Sequence, residues 1–476
     1  MTAGKLNAAS EKGMVLVYVA GLMVVMLLFA GLAIDLGRAY VVQAHLSKAV
    51  DGAALAAARA LGSGNARTEA VRLFQANCPP HFMGTLSATD PNADPDFFRS
   101  YYNASTGANV ITVTATAVLP TTFMRIAGFN QMPVASTGEA VRRLVDLSLV
   151  LDTSSSLGAG WADVRDAARA FVNSFSRQDR LALVLYSDGA RVLVQMPPDR
   201  SSDPAFVASQ IPQNNPGGST AMDEGLYRGW DELRTVPRGL QSGLRVIVLF
   251  TDGCSNSVPG EHETALGRAT GLRTYDFPKR ANDNGQTWDN PQINGLFDTE
   301  TGARNPSYTL TTSRWDSTQT LPLVPYLPLN TVSLHTHHRS SGIPTSFPLY
   351  NPAWGYQRAL RNPQSVGGNI RYPADVWNIN NAARNLLEII ARQIQQDNSG
   401  DYPIRIYTIG MGALVKMQLG TKPELSEEML IRISNDRRSP DYSSSYVEGK
   451  YYYARTSADV DAAFQALRNQ IVRLSR

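Results

Sequence analysis

Hydrophobic positions along the first 145 residues follow three different patterns, and each predicts a different kind of element. The first has no period. Met14 to Ile34 is 21 residues without a charge. At about 1.5 Å per residue, such a helix spans a bilayer core of ~30 Å. Lys5 and Lys12 precede it and favour a cytoplasmic N-terminus with the bulk of the chain exported. Gly31-Leu32-Ala33 loosely fits a small-x-small cleavage site, but the run exceeds the roughly 7–15 apolar residues of a signal peptide. The second pattern follows directly. Val42, Leu46, Ala49, Ala53, Ala56 and Ala60 recur at helical spacing, no Pro interrupts Met14 to Leu61, and Gly62-Ser63-Gly64 ends the stretch. A seam built mostly of Ala permits close approach of another helix. It equally suits an amphipathic helix packed on its own domain. The third pattern has period two: Val110 to Val118 alternates and is rich in β-branched residues, so it reads as a half-buried strand that Met132 to Val141 would pair with.

Beyond residue 145 the pattern changes again. Leu147 to Leu151, Val246 to Phe250 and Ile404 to Gly410 are short apolar runs, the form of strands buried on both faces. Between them, helices are expected at Trp161 to Phe175, Met222 to Leu233 and Asp375 to Gln396, with a closing helix from Ser457 as N-cap. Strands alternating with helices predict an α/β fold with a mostly parallel, doubly wound sheet.

The exits of these strands carry the candidate chemistry. Leu147 to Leu151 ends in Asp152-Thr153-Ser154-Ser155-Ser156, and Val246 to Phe250 ends in Thr251-Asp252-Gly253. Between them lies Gly217-Gly218-Ser219-Thr220. Ligands of open α/β sheets bind at the carboxyl ends of the strands. Asp152, Ser154, Ser156, Thr220 and Asp252 are therefore candidate ligands of one metal ion. The set is all oxygen, which suits a hard cation. Mg²⁺ is expected, with Mn²⁺ or Ca²⁺ as alternatives. Asp152 would be the charged anchor, and Asp252 a second negative charge, direct or through water. Each fragment alone also suits an ordinary turn or cap. All three occur in order, each beside a strand, and that combination favours a metal site.

Asp152-x-Ser154-x-Ser156, Thr220 ahead of Gly225-Leu226, and Thr251-Asp252-Gly253 resemble the metal-ion-dependent adhesion site of a von Willebrand factor A domain. That resemblance implies a Rossmann-like doubly wound fold, bound Mg²⁺ and a carboxylate-bearing protein ligand. Ala221 departs from it, since many members carry Asn there. A second resemblance lies at the start. Phe29 to Tyr40, then Leu46 to Arg59, looks like the beginning of TadG-like proteins of bacterial tight-adherence (Tad, or Flp) pilus assembly systems. Pro120-Thr121-Thr122-Phe123-Met124 is similar to that family as well. A pilin-type processing site would want Glu five residues after Gly13, where Tyr18 stands.

These readings divide the 476 residues as follows: 1–13 a cytoplasmic N-terminus, 14–34 a transmembrane helix, 35–61 a pilin-like helix continuing from the membrane, 62–145 a small α+β region, and 146–476 an A domain. The A domain would hold a large loop-rich insertion at about 255–374, rich in Pro, Asn, Thr and Tyr. It leaves the sheet just after Asp252 and would lie over or beside the metal face. Charge alters the picture little. A net charge of +3, from 44 basic and 41 acidic residues with no basic block, gives no support to nucleic-acid binding. Cys78 and Cys254 are too few for a disulfide scaffold, and whether they pair stays open. His335-Thr336-His337-His338 reads as a surface loop. No phosphate-binding Gly-Lys-Ser/Thr loop is present, and Gly253-Cys254-Ser255-Asn256-Ser257 lacks the final Gly of a nucleophile elbow. The expected function is therefore not enzymatic. It is that of a single-pass bacterial inner-membrane protein, its bulk periplasmic or surface-exposed, that takes part in Tad/Flp pilus assembly or adhesion by Mg²⁺-dependent binding to other pilus-assembly or envelope proteins. An A-domain scaffold of another envelope complex is the alternative, and a metal-dependent hydrolase the third.

Overall fold

The apolar run and the Ala-rich seam are one element. In the computed structural model, which describes residues 8–61, 65–103, 105–264, 267–275, 292–296, 326–327, 331–333, 346–348, 358–374, 376–419 and 424–474, Ala8–Ala60 is a single helix, α1, of 53 residues. Its side chains from Val15 to Phe29 are exposed. Among the described residues this is the one helix long and apolar enough to cross a membrane, with a window of mean hydropathy 2.7 that is only 6% buried. Exposure ends where the seam begins. Ala39, Val42, Leu46, Ala49, Val50, Ala53, Ala54, Ala57 and Leu61 are buried. Of the two uses open to the seam, packing on its own domain is the one observed. The stripe passes through Ala57 and Leu61 rather than the expected Ala56 and Ala60, which are half-buried. That drift is what a straight helix of 3.6 residues per turn produces against a seven-residue repeat.

The covering elements are helix α2 (Ala66–Asn77), through Ala66, Ala70 and Phe74, and a small sheet. In that sheet β1 (Phe98–Asn103) and β3 (Gln131–Arg143) pair with the central β2 (Ala108–Pro120), as does the two-residue strand Ser87–Ala88. Gly138 of β3 lies against the α1 backbone, where a Cβ would come within 2.6 Å of the Val50 carbonyl carbon. The chain divides into two compact units, Met1–Asn103 with Asn109–Arg142, and Ala104–Ala108 with Arg143–Arg476.

The second unit is built on six strands: β4 (Val145–Asp152), β5 (Arg180–Tyr186), β6 (Ala190–Val194), β7 (Leu244–Thr251), β10 (Ile404–Met411) and β11 (Lys450–Ala454). Two further strands, β8 (Ser257–Thr264) and β9 (Gly267–Tyr275), form a separate three-stranded antiparallel sheet with Gln292–Leu296. The order in the main sheet is β11-β10-β7-β4-β5-β6, all parallel except β6, which runs antiparallel to β5. The succession leaves β4 in one direction through β5 and restarts in the other at β7. The switch point of the fold therefore lies between the carboxyl ends of β4 and β7.

Both faces of the sheet are covered, which is why its strands are apolar nearly throughout. Leu147, Leu149 and Leu151 face the layer of α3 (Trp161–Asn173), a short helix Pro204–Ser209 and α7 (Val460–Leu474). Val150, Ile247 and Leu249 face α4 (Met222–Arg234), α5 (Val376–Gln395) and α6 (Ser426–Ile433). At the closing helix the cap is Thr456, not Ser457. The Thr456 hydroxyl and amide both donate to Asp459, at 2.8 and 3.1 Å, and a 3₁₀ turn, Ser457–Asp459, precedes α7. Of the long insertion, Val258, Leu327, Phe347 and Leu360 join the core on the α4/α5 side. Phe347 meets Tyr227 of α4 edge-on at 5.7 Å. His335 to His338 lie outside the described residues. Cys78 and Cys254 are not joined in a disulfide, and burial pushes the Cys78 thiol up to about 11.

Candidate metal centre

Strand β4 delivers Asp152 fully buried at its carboxyl end. The chain then turns. Thr153 donates its amide and its hydroxyl to the Tyr186 carbonyl of β5, at 2.8 and 2.9 Å, which holds the turn against the neighbouring strand. The Ser154 amide donates to Asp152 Oδ1 at 2.7 Å, an Asx turn that brings the following hydroxyls back over the carboxylate. Ser154 Oγ and Ser156 Oγ lie 2.9 Å apart.

Strand β7 supplies the other half. Thr251 Oγ1 donates to Asp152 Oδ2 at 2.7 Å, tying the two strand ends across the switch point. One residue on, Asp252 Oδ1 accepts from Ser156 Oγ at 2.7 Å and from Ser154 Oγ at 3.4 Å. Four of the five candidate residues, Asp152, Ser154, Ser156 and Asp252, are thus brought together. Thr220 arrives on the adjacent loop. A Cβ built on Gly253 would come within 3.8 Å of Thr220 Oγ1. Thr220 is bonded twice to Asn256, donating its amide to Asn256 Oδ1 at 2.9 Å and accepting the Asn256 amide on its carbonyl at 3.2 Å.

The loop before Thr220 is held by groups that sequence reasoning passed over. Ser155 donates its amide to the Gly218 carbonyl at 2.9 Å and accepts the Gly218 amide on Oγ at 2.8 Å. Asp188 Oδ1 accepts from the Ser219 amide at 2.6 Å. Gly218 has φ +124°, and a Cβ there would come within 2.9 Å of Asp188 Oδ1, so the close approach requires glycine. The Asp188-Gly189 dipeptide was the available signal, since it marks a tight turn at the end of β5.

Electrostatics bear on whether these residues fit a cation. Asp152 and Asp252 are buried, and among the described residues neither is paired with a Lys or Arg. Burial pushes both carboxyls above the usual carboxylate range, and for Asp252 the Asp152 charge adds to it. Two buried carboxylates so placed need a proton or a cation. The Oγ of Ser219, in the same loop as Thr220, is buried without a partner among the described residues. The donors are oxygen throughout, and no cluster of three or more His, Cys, Asp or Glu is assembled among the described residues. Two carboxylates among neutral hydroxyls fit a hard divalent ion that keeps some of its water.

Comparison with known proteins agrees with this arrangement of strands. The von Willebrand factor type A domain model matches residues 146–284, and a model described as putative Flp pilus-assembly TadE/G-like matches residues 13–60. The chain is a TadG-like protein with a von Willebrand factor A domain. Among solved structures, this TadG-like chain is similar to a PilB minor pilin from Streptococcus sanguinis, at 14% identity over 80% of this chain and 78% of that one, with a TM-score of 0.36. It is similar to the von Willebrand domain of a type V pilus tip protein from Porphyromonas gingivalis, at 18% identity over 71% of this chain and 98% of that one, with a TM-score of 0.34. A von Willebrand factor type A protein from Catenulispora acidiphila matches at 11% identity over 81% of this chain and 52% of that one, with a TM-score of 0.32. Scores of this size carry no functional argument. The TadG-like assignment rests on the two matched segments and the sheet.

Proposed function

We propose that this TadG-like protein is a membrane-anchored component of Tad/Flp pilus assembly or adhesion, whose A domain binds a partner protein through Mg²⁺. Asp152, Ser154, Ser156, Thr220 and Asp252 would hold the ion, directly or through water. The observation that carries the reading is the pair of buried carboxylates at the β4/β7 switch point, set among hydroxyls and lacking a basic partner among the described residues. A bound Mg²⁺ supplies an open coordination position that favours a carboxylate. This chain's residues do the rest. Asp152 anchors, the hydroxyls fill neutral positions, and the loops clasped by Ser155, Gly218, Asp188 and Asn256 keep the donors in place. Such a site binds and does not turn over. The partner would be another pilus-assembly or envelope protein offering an Asp or Glu side chain. The bulk of the chain would lie on the periplasmic side of the inner membrane.

The test is capture of envelope proteins by the full chain in detergent, with Mg²⁺ or with chelator, for the wild type and Ser156→Ala. The expected result is one partner retained with Mg²⁺ and lost both with chelator and in the variant. Equal capture in all conditions would exclude metal-dependent binding.

A further inference from the structure

A turn of the first unit is fastened to α1 where the apolar run ends. Asp35, the first charge after Ile34, is buried at 4% exposure. Its carboxylate accepts three consecutive backbone amides, those of Thr122, Phe123 and Met124, at 2.9, 2.9 and 2.8 Å. Arg38, one turn on, donates to Thr122 Oγ1 at 3.1 Å. One turn back, Gly31 makes room for Phe123. A Cβ at Gly31 would come within 2.3 Å of the Phe123 Cβ. The turn therefore overlaps the last turn of the apolar run and does not stop at its edge.

What the turn presents is apolar. It is a short 3₁₀ helix, Met124–Ala127, closed by Gly128 at φ 92°. Thr121 Oγ1 donates to the Phe129 carbonyl, and the Phe129 amide donates to the Met124 carbonyl at 3.1 Å, so the tip is a closed, bonded turn. Yet Ile126 is 74% exposed and Phe129 60%. Large apolar side chains held outward on an ordered turn mark a surface meant to be covered. A second turn reaches the same level. Gly84 lies beside Arg38, 3.8 Å from a built Cβ to Nη2, and Met83 and Leu86 next to it are also exposed.

We infer that the 120–130 turn is an interfacial membrane anchor: Ile126 and Phe129 insert into the bilayer surface beside the exit of α1. The inference rests on the reading that residues 14–34 lie in the bilayer. The occupant is lipid because the apolar tip is continuous with the exposed apolar surface of α1, which lipid would cover. Non-helical backbone near the hydrocarbon must have its amides satisfied, and the Asp35 carboxylate does that for three in a row. Arg125, exposed on the same turn, and Arg38 are placed for anionic headgroups. Two attachments separated across the membrane surface would fix the tilt of the first unit, which a single helix does not.

The full chain, with Cys78→Ala and Cys254→Ser, is reconstituted in vesicles of phosphatidylethanolamine and phosphatidylglycerol. Spin labels are placed at Ile126→Cys, Phe129→Cys, Leu27→Cys in the run and Tyr101→Cys on exposed β1. Collision with oxygen is compared with collision with a water-soluble nickel chelate. The expected oxygen-to-nickel ratio at 126 and 129 is several-fold above that at 101 and approaches that at 27. Adding Asp35→Ala should return the 126 label toward the value at 101. Water-like labels at 126 and 129 with a lipid-like label at 27 would overturn the inference and leave the spanning helix intact. A water-like label at 27 would overturn the spanning reading and the inference with it. Labels at 126 and 129 immobilised and shielded from both reagents would show a protein contact, and also overturn it.

Discussion

At the scale of single residues, the second unit holds some of its charged groups in buried, bonded positions at both ends of the sheet. At the carboxyl end, Asp152 accepts from Thr251 Oγ1 and Asp252 from Ser156 Oγ, both at 2.7 Å. At the opposite end, Asp146 and Arg180 form a fully buried ion pair at 3.0 Å. Ser242 completes it, donating its amide and hydroxyl to the Asp146 carboxylate at 2.7 and 2.6 Å. Removing one member leaves the other charge unpaired. Arg180→Ala is expected to cost ~3–5 kcal/mol in denaturant unfolding. A loss under half a kilocalorie would show that the pair is not dry. At the proposed metal site, Thr220 would be one neutral donor that water can replace. Thr220→Ala should weaken Mg²⁺ binding by about 1 kcal/mol, roughly fivefold in a calorimetric titration. A complete loss would make Thr220 an anchor rather than a supporting ligand.

At the scale of elements, α4 shows most clearly what a sequence pattern does and does not reveal. Its existence was legible, since Met222, Leu226, Trp230 and Leu233 fall on one helical stripe. Its environment was not. Asp223, Glu224, Arg228, Asp231 and Glu232 look like a solvated face, but every residue from Met222 to Leu233 is buried. Arg228 pairs with Glu224 at 2.9 Å, and Glu232 accepts the Met196 amide at 2.6 Å. The cover comes partly from the insertion, through Phe347 against Tyr227. An irregular segment has no periodicity that could announce such a role. The sheet side of α4 is equally close. A Cβ at Gly229 would come within 2.7 Å of Val150 Cγ2, and one at Gly225 within 2.7 Å of Tyr186 Cδ1. Gly229→Val should therefore overpack the helix–sheet contact and cost ~1–3 kcal/mol, lowering the denaturation midpoint at unchanged slope. A neutral result would mean that the helix shifts freely. The strands were read well because burial on both faces makes them apolar, and the proximity of Asp152, Ser154, Ser156 and Asp252 was legible because they sit at strand ends. Ser155, Asp188 and Asn256 were missed because they act through backbone amides, which any polar turn residue can do.

At the scale of the whole chain, one helix among the described residues is long and apolar enough to span a membrane, and a von Willebrand factor A domain follows it. No second apolar run as long as Met14 to Ile34 occurs after it, so residues beyond Arg38 are expected on the exported side. A C-terminal alkaline phosphatase fusion should be active and a fluorescent protein that matures only in the cytoplasm dark; the reverse would place the A domain inside the cell. The β4/β7 switch point is proposed as a Mg²⁺ site on which partner binding depends. Its most direct measurement is a calorimetric titration of Mg²⁺ into the chelator-treated full chain, for the wild type and Asp152→Ala. About one hard divalent ion per wild-type chain is expected, and no measurable binding once the anchoring carboxylate is gone. Undiminished binding in the Asp152→Ala chain, with both proteins folded by circular dichroism, would contradict it.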